Sequence, residues 1–165
     1  MKIDSMIPKG ALVLLTLAIG AFAALPGRAQ FAAQPASALT IPTAQLMQPE
    51  ELNKLLEKPQ TLKPLILQVG SHVMFDEAHI PGAEYAGPGS HDEGLQILRD
   101  RVSSLSRQTS IVIYCGCCPW NHCPNVGPAY KVLSEMGFVH LKVLYLADNF
   151  GSDWVDKGFP VEHTQ

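Results

Sequence analysis

The chain has 165 residues, of which 47% are hydrophobic and 16% are charged, and its formal net charge is -3. This length is typical of a single domain, and this balance of apolar and charged residues is typical of a globular protein rather than a disordered one. The basic residues are scattered, so the sequence contains no basic stripe that could bind nucleic acid or an anionic lipid surface. We therefore exclude both as partners.

The start of the chain has the features of an export signal. Two lysines precede an apolar run over residues 11–25, and a Pro-Gly pair follows it. A positive start, an apolar stretch too short to cross a bilayer comfortably and a helix-breaking end are typical of a secretory signal peptide. We assign residues 1–29 to this signal and residues 30–40 to a flexible lead-in. We expect a periplasmic or secreted protein with no membrane contact after cleavage; an uncleaved membrane anchor is the alternative.

The rest of the sequence alternates between strand and helix patterns. Short apolar runs bounded by Pro or Gly predict buried strands, and leucines and valines at helical spacing predict helices. In chain order we predict a helix from residue 48, a strand at 65–69, a turn at 79–82, a strand starting at 84–85, a helix at 92–104, a strand at 111–114, a helix at 128–136, a strand at 141–146 and a short helix at 153–157. This alternation predicts an α/β fold, in which a mainly parallel sheet is covered by helices on both faces.

All four cysteines lie within one short segment, from Cys115 to Cys123. Disulfides that stabilise a secreted domain close long loops, whereas a bridge inside this cluster would close a very short one. We therefore expect chemistry at a site rather than a structural crosslink. Cys115 directly follows the strand predicted at residues 111–114, and the carboxyl ends of parallel strands are where sites form in such sheets.

A reactive Cys115 needs stabilisation of its charge, because the thiolate is the reactive form of cysteine. The loop over residues 115–125 contains no lysine or arginine. We therefore expect the stabilisation to come from the loop amides at residues 116–118 and from His122. The residues expected to support the loop are Gly116, His122 and Asn125.

Three hypotheses account for the cysteine cluster. The first is a nucleophilic Cys115 whose bound sulfur is resolved or relayed by neighbouring thiols; the candidates are Cys117, Cys118 and Cys123. The second is a thiol–disulfide redox centre at the C-x-x-C pair of Cys115 and Cys118. The third is a binding module for a soft metal such as Cu(I) or Zn, with the ligand set Cys115, Cys117, Cys118, His122 and Cys123. The first hypothesis requires no cofactor.

Several segments resemble a rhodanese-homology domain, a single-domain member of the sulfurtransferase superfamily. The matching segments are residues 65–70, 75–83, 111–115 and 137–161. The resemblance covers residues 41–162 and implies a three-layer rhodanese-like fold, with about five mainly parallel strands flanked by helices. It also implies that Cys115 takes up a sulfane sulfur as a persulfide. The partner would be a small sulfur-containing substrate or an acceptor thiol, either on a small molecule or on a protein.

The sequence departs from the family pattern around this cysteine. Gln68 and Gly70 stand where the family usually has Asp and Arg, so the usual buried ion pair is missing. The active-site loop is longer than usual and lacks the cation that holds thiosulfate. We expect the longer loop to admit a bulkier substrate or a metal.

Overall fold

The computed structural model describes residues 41–59 and 62–164. The signal peptide and the lead-in predicted for residues 1–40 lie outside these described residues and stay predictions. Among the described residues, none of the helices has the length and apolar character needed to cross a membrane.

One sheet of five parallel strands organises the fold. The strands are β1 (Leu46–Met47), β2 (Leu65–Gln68), β3 (Ala83–Tyr85), β4 (Ile111–Tyr114) and β5 (Leu141–Leu144). Their order across the sheet is β1-β5-β4-β2-β3, and each neighbouring pair is parallel. The prediction of an α/β fold with about five mainly parallel strands is confirmed.

Helices connect these strands. They are α1 (Pro49–Glu57), α2 (His72–Glu77), α3 (Asp92–Val102) and α4 (Val126–Glu135), with short 3-10 turns at Thr43–Gln45 and Trp120–His122 and a π-helical turn at Gly151–Val155. The longer helices lie where the apolar spacing predicts them, with small differences at their ends. Neither α2 nor β1 is predicted from the sequence, because such short elements contain too little periodicity to identify.

The start of α1 shows how local sequence sets an element. Gln48 and Glu51 form a reciprocal capping box, in which the backbone N–H of Gln48 donates to Glu51 Oε2 over 2.7 Å. Pro49 occupies the first helical position, where its missing N–H costs nothing. Leu52 of this helix is fully buried, so the capped helix packs its apolar face on the sheet.

The side chains of β4 alternate between the two faces of the sheet. The odd-numbered residues, up to and including Cys115, belong to a buried cluster that contains residues of α3 and α4. The even-numbered residues, Val112 and Tyr114, belong to a second cluster that contains Leu52 and Trp154. The sheet is therefore the middle of three layers, as predicted, and Cys115 lies on the face covered by α3 and α4.

Candidate functional site

Cys115 lies at the carboxyl end of β4 and is only 4% exposed. The chain turns immediately afterwards at Gly116, whose φ of 78° is a conformation that glycine adopts without strain. The Gly116 carbonyl accepts a hydrogen bond from the Phe150 N–H over 3.0 Å, and a Cβ on Gly116 would lie 2.7 Å from Phe150 Cβ. The turn that presents Cys115 therefore requires glycine at position 116.

The cysteine sulfurs gather around this turn. Cys115 Sγ lies 3.0 Å from Cys117 Sγ, and Cys117 Sγ lies 3.4 Å from Cys118 Sγ. Cys123 returns from the far end of the loop and lines the same cavity as Cys115. All four cysteines are free thiols. The structure thus brings Cys115 together with the three candidate resolving thiols.

His122 lies apart from this group of sulfurs. Its side chain is exposed, and its Nδ1 pairs with Asn121 Oδ1 over 2.8 Å. In the part of the chain that the structure describes, the sulfurs close enough to share one ion are those of Cys115, Cys117 and Cys118, all within 4.8 Å of one another. The soft-metal set of five residues expected from the sequence is therefore not assembled, because neither His122 nor Cys123 joins these three sulfurs.

Asn125 is the polar side chain that contacts the Cys115 sulfur. It is 6% exposed, and its Nδ2 donates to Cys115 Sγ over 3.3 Å and to Cys117 Sγ over 3.7 Å. Its Oδ1 accepts from the Ser90 N–H over 2.9 Å, which orients the amide. A buried amide donor held in this way can stabilise negative charge on sulfur. Asn125, expected to support the loop, contacts the sulfur itself.

Gln68, the last residue of β2, and Gly70, two residues later, pack against Cys115. Gln68 Nε2 donates to the Cys115 carbonyl over 3.3 Å, and Gln68 Oε1 accepts from the Gly70 N–H over 3.1 Å. A Cβ on Gly70 would lie 2.9 Å from Cys115 Sγ. A neutral side chain thus holds the backbone here, and glycine leaves room for the sulfur. From the sequence, both residues are only departures from the family pattern. A glutamine at the end of an apolar buried strand is nevertheless a signal for a side chain that hydrogen-bonds to neighbouring backbone.

The long loop folds back onto the domain. The Trp120 N–H donates to the Ala147 carbonyl over 3.0 Å, and the Trp120 ring packs against Tyr145 with ring centroids 5.0 Å apart. The cavity left above the sulfur of Cys115 has a volume of about 10 Å³, close to what one water molecule needs. The longer loop therefore does not leave the room expected for a bulkier substrate, whereas the three sulfurs within 4.8 Å of one another leave the expected metal untested. The cysteines that line the cavity are Cys115, Cys118 and Cys123.

The pKa values of Cys123 and Cys115 are shifted in opposite directions. The hydrogen bond from the Cys115 thiol, followed by those from the backbone N–H groups of Asn125 and Val126, lowers the pKa of Cys123 to about 6. The same Cys115–Cys123 hydrogen bond, together with burial, raises the pKa of Cys115 well above its usual range. Free amides at the start of a helix stabilise a thiolate, and Cys123 lies at the start of α4. Of the loop amides expected to hold a Cys115 thiolate, that of Cys117 donates to its sulfur.

The fold and the site can be compared with known proteins. A family model described as a rhodanese-like domain matches residues 48–150. A solution structure of the rhodanese-like domain of an Anabaena protein is 25% identical, with a TM-score of 0.53, over 72% of this chain and 79% of that one. A crystal structure of a Bacillus halodurans protein shares the fold, with 23% identity and a TM-score of 0.54 over 72% of this chain and 76% of that one. A comparison with curated proteins finds no match. Because the family model spans more than half of the sequence, the chain belongs to the rhodanese-like domain family.

Proposed function

We propose that this protein is a rhodanese-type sulfurtransferase in which Cys115 carries a sulfane sulfur as a persulfide. The main support for the proposal is the position of Cys115 at the carboxyl end of β4, where it lines a cavity of about 10 Å³. A persulfide adds one sulfur atom, and the cavity has about the volume of one water molecule. Asn125 Nδ2, which lies 3.3 Å from Cys115 Sγ, donates to the charge that develops there.

The proton of Cys115 has an acceptor within the site. Its thiol hydrogen-bonds to the sulfur of Cys123, whose pKa is lowered to about 6. The two thiols share one proton, so the Cys115 thiolate is the minor form of the pair; it forms when the proton moves to Cys123, and it bonds to the terminal sulfane sulfur of the donor. The S–S bond of the donor then breaks, and its electron pair leaves with the rest of the donor. Because the loop carries no cation, the proposed donors are persulfides or polysulfides rather than thiosulfate.

A variant that keeps Cys115 as its only cysteine tests this function. Serine replaces the other three cysteines, so that no neighbouring thiol can remove the bound sulfur, and loading is followed at alkaline pH, where hydroxide replaces Cys123 as the acceptor of the Cys115 proton. After incubation with polysulfide, glutathione persulfide or thiosulfate, the peptide that contains Cys115 should gain the mass of one sulfur atom, and polysulfide should load it fastest. The matched control is Cys115→Ser in the wild-type background. No added sulfur on Cys115 with any of the three donors would contradict the proposal.

The same preparation tests the two alternatives. Close packing of the sulfurs of Cys115, Cys117 and Cys118, all within 4.8 Å, favours a soft-metal module over a site with no role for these thiols. Stoichiometric Cu or Zn in protein purified under reducing conditions would support that module. For a redox centre, the nearest partner of Cys115 is Cys117 at 3.0 Å, rather than the Cys118 expected from the C-x-x-C spacing. A reversible dithiol couple without sulfur loading would support this redox function.

Export is part of the proposal. The lysines, the apolar run and the Pro-Gly pair within residues 1–29 support a cleaved signal peptide. Expression of the full chain in a bacterium, followed by cell fractionation and N-terminal sequencing, tests this prediction. We expect a shortened protein in the periplasm or the medium. A full-length protein in the cytoplasm would contradict export without bearing on the sulfur chemistry.

A further inference from the structure

Transfer of sulfur from Cys115 to an external acceptor gives Cys123 no role as a nucleophile. It lies just before α4 and lines the same small cavity as Cys115. Hydrogen bonding with Cys115 and with the backbone N–H groups of Asn125 and Val126 lowers its pKa. Cys123 is already beside Cys115 when the persulfide forms, whereas an external acceptor thiol would first have to bind.

We propose that Cys123 resolves the Cys115 persulfide by attacking Cys115 Sγ, which forms a Cys115–Cys123 disulfide and expels hydrosulfide. This inference rests on the proposed function and specifies its product. The protein then releases sulfide from a sulfane-sulfur donor and depends on an external dithiol to reduce the disulfide between turnovers. A single turnover requires no reductant.

The atoms and electrons of this turnover balance. The Cys115 proton first moves to Cys123, and the Cys115 thiolate takes the terminal sulfur of the donor as described above. The proton then moves from Cys123 to the outer sulfur of the persulfide. The Cys123 thiolate bonds to Cys115 Sγ, the persulfide S–S bond breaks, and its electron pair leaves with the outer sulfur as hydrosulfide. Two thiols are oxidised to a disulfide, and one sulfane sulfur is reduced to sulfide.

The geometry favours Cys123 over the other two cysteines in this role. A disulfide between Cys115 and Cys117 would have to close across the single residue Gly116, whose carbonyl is bound to the Phe150 N–H over 3.0 Å. Disulfides require a restricted Cβ geometry, which this anchored turn opposes. The Cys118 thiol donates to the His122 carbonyl over 3.8 Å, and burial raises its pKa to about 12, so that thiol stays protonated. Attack requires the thiolate form, which the amides at the start of α4 provide for Cys123.

Two double variants separate the candidates for the resolving thiol. Cys117→Ser with Cys118→Ser keeps Cys115 and Cys123, whereas Cys118→Ser with Cys123→Ser keeps Cys115 and Cys117. Each protein receives a single pulse of glutathione persulfide, whose leaving group is glutathione rather than sulfide, without reductant and is quenched with an alkylating reagent. Released sulfide is then measured, and the cysteine peptides are mapped by mass spectrometry. Serine at position 123 keeps an oxygen acceptor for the α4 amides, which preserves the start of the helix.

Wild type and the variant that keeps Cys123 should release about one equivalent of sulfide and form the Cys115–Cys123 disulfide. The variant that keeps Cys117 should lose sulfide release and retain a persulfide on Cys115. Equal sulfide release from both double variants would overturn the inference, as would a persulfide that moves onto Cys123. Absence of sulfur on Cys115 in every variant, including the variant whose only cysteine is Cys115, would instead overturn the proposed function.

Discussion

Replacing Gly70 by alanine should displace the sulfur of Cys115 while the domain stays folded. The added Cβ would lie 2.9 Å from Cys115 Sγ and 3.1 Å from the Cys115 carbonyl oxygen. Ordinary nonbonded contacts of carbon lie at about 3.5–4.0 Å, so the sulfur must move by roughly 0.6–1 Å. The carbonyl is held by Gln68 Nε2 over 3.3 Å, whereas the thiol can rotate about χ1. The sulfur therefore leaves its present position, in which it lies 3.3 Å from Asn125 Nδ2.

The size of the kinetic effect follows from this displacement. A reacting atom misplaced by about 1 Å can lose about 10²-fold in rate, which corresponds to about 2.7 kcal/mol of activation free energy. We expect persulfide formation on Cys115 to slow by about 10- to 100-fold in Gly70→Ala. The free energy of unfolding should fall by about 1–3 kcal/mol, the usual cost of inserting a methyl group into a packed site.

The assay is the rate at which Cys115 gains sulfur from polysulfide in the background that has no other cysteine. The matched control is Gly127→Ala, because a Cβ at that helical position meets nothing within 4 Å. Thermal unfolding of each variant shows that the compared proteins are folded. If Gly70→Ala is folded and gains sulfur as fast as the same protein with Gly70, the claim that Gly70 positions the Cys115 sulfur for reaction is refuted.

Two further predictions concern stability and pH. Gly116→Ala should lower the free energy of unfolding in denaturant by about 2–4 kcal/mol, because the left-handed conformation and the crowding against Phe150 each carry a cost; a loss below about 1 kcal/mol would contradict this account. Thiolate absorbance should rise as the pH increases through about 6, the lowered pKa of Cys123, and this step should disappear in Cys123→Ser and move to higher pH in Cys115→Ala. A group whose pKa is lowered by folding stabilises the folded state most at pH values above its pKa in the unfolded chain. The stability difference between wild type and Cys123→Ser should therefore shrink as the pH falls from about 8.5 to about 6. A first titration step near the ordinary cysteine value of about 8.5 in wild type would refute the assignment of the charge to Cys123.

The sequence by itself determined the fold class and the position of the central cysteine. Apolar runs and helical spacing are local signals, so β4, β5, α3 and α4 lie close to where the pattern predicts them. The family resemblance depends on contiguous segments, and the family model matches residues 48–150. The location of Cys115 at the end of β4 follows from its immediate neighbours alone.

The tertiary structure decided how the site works. Gln68 contacts Cys115 across 47 positions of sequence, and Asn125 contacts Ser90 across 35. No periodicity or local spacing encodes such contacts, because they depend on the order of the strands and on where α4 docks. The same docking places Cys123 beside Cys115 and folds the long loop over the site. From the sequence, Cys115 is a reactive cysteine at the end of a strand; in the folded protein, it is a buried thiol with a raised pKa, beside a Cys123 whose pKa is lowered.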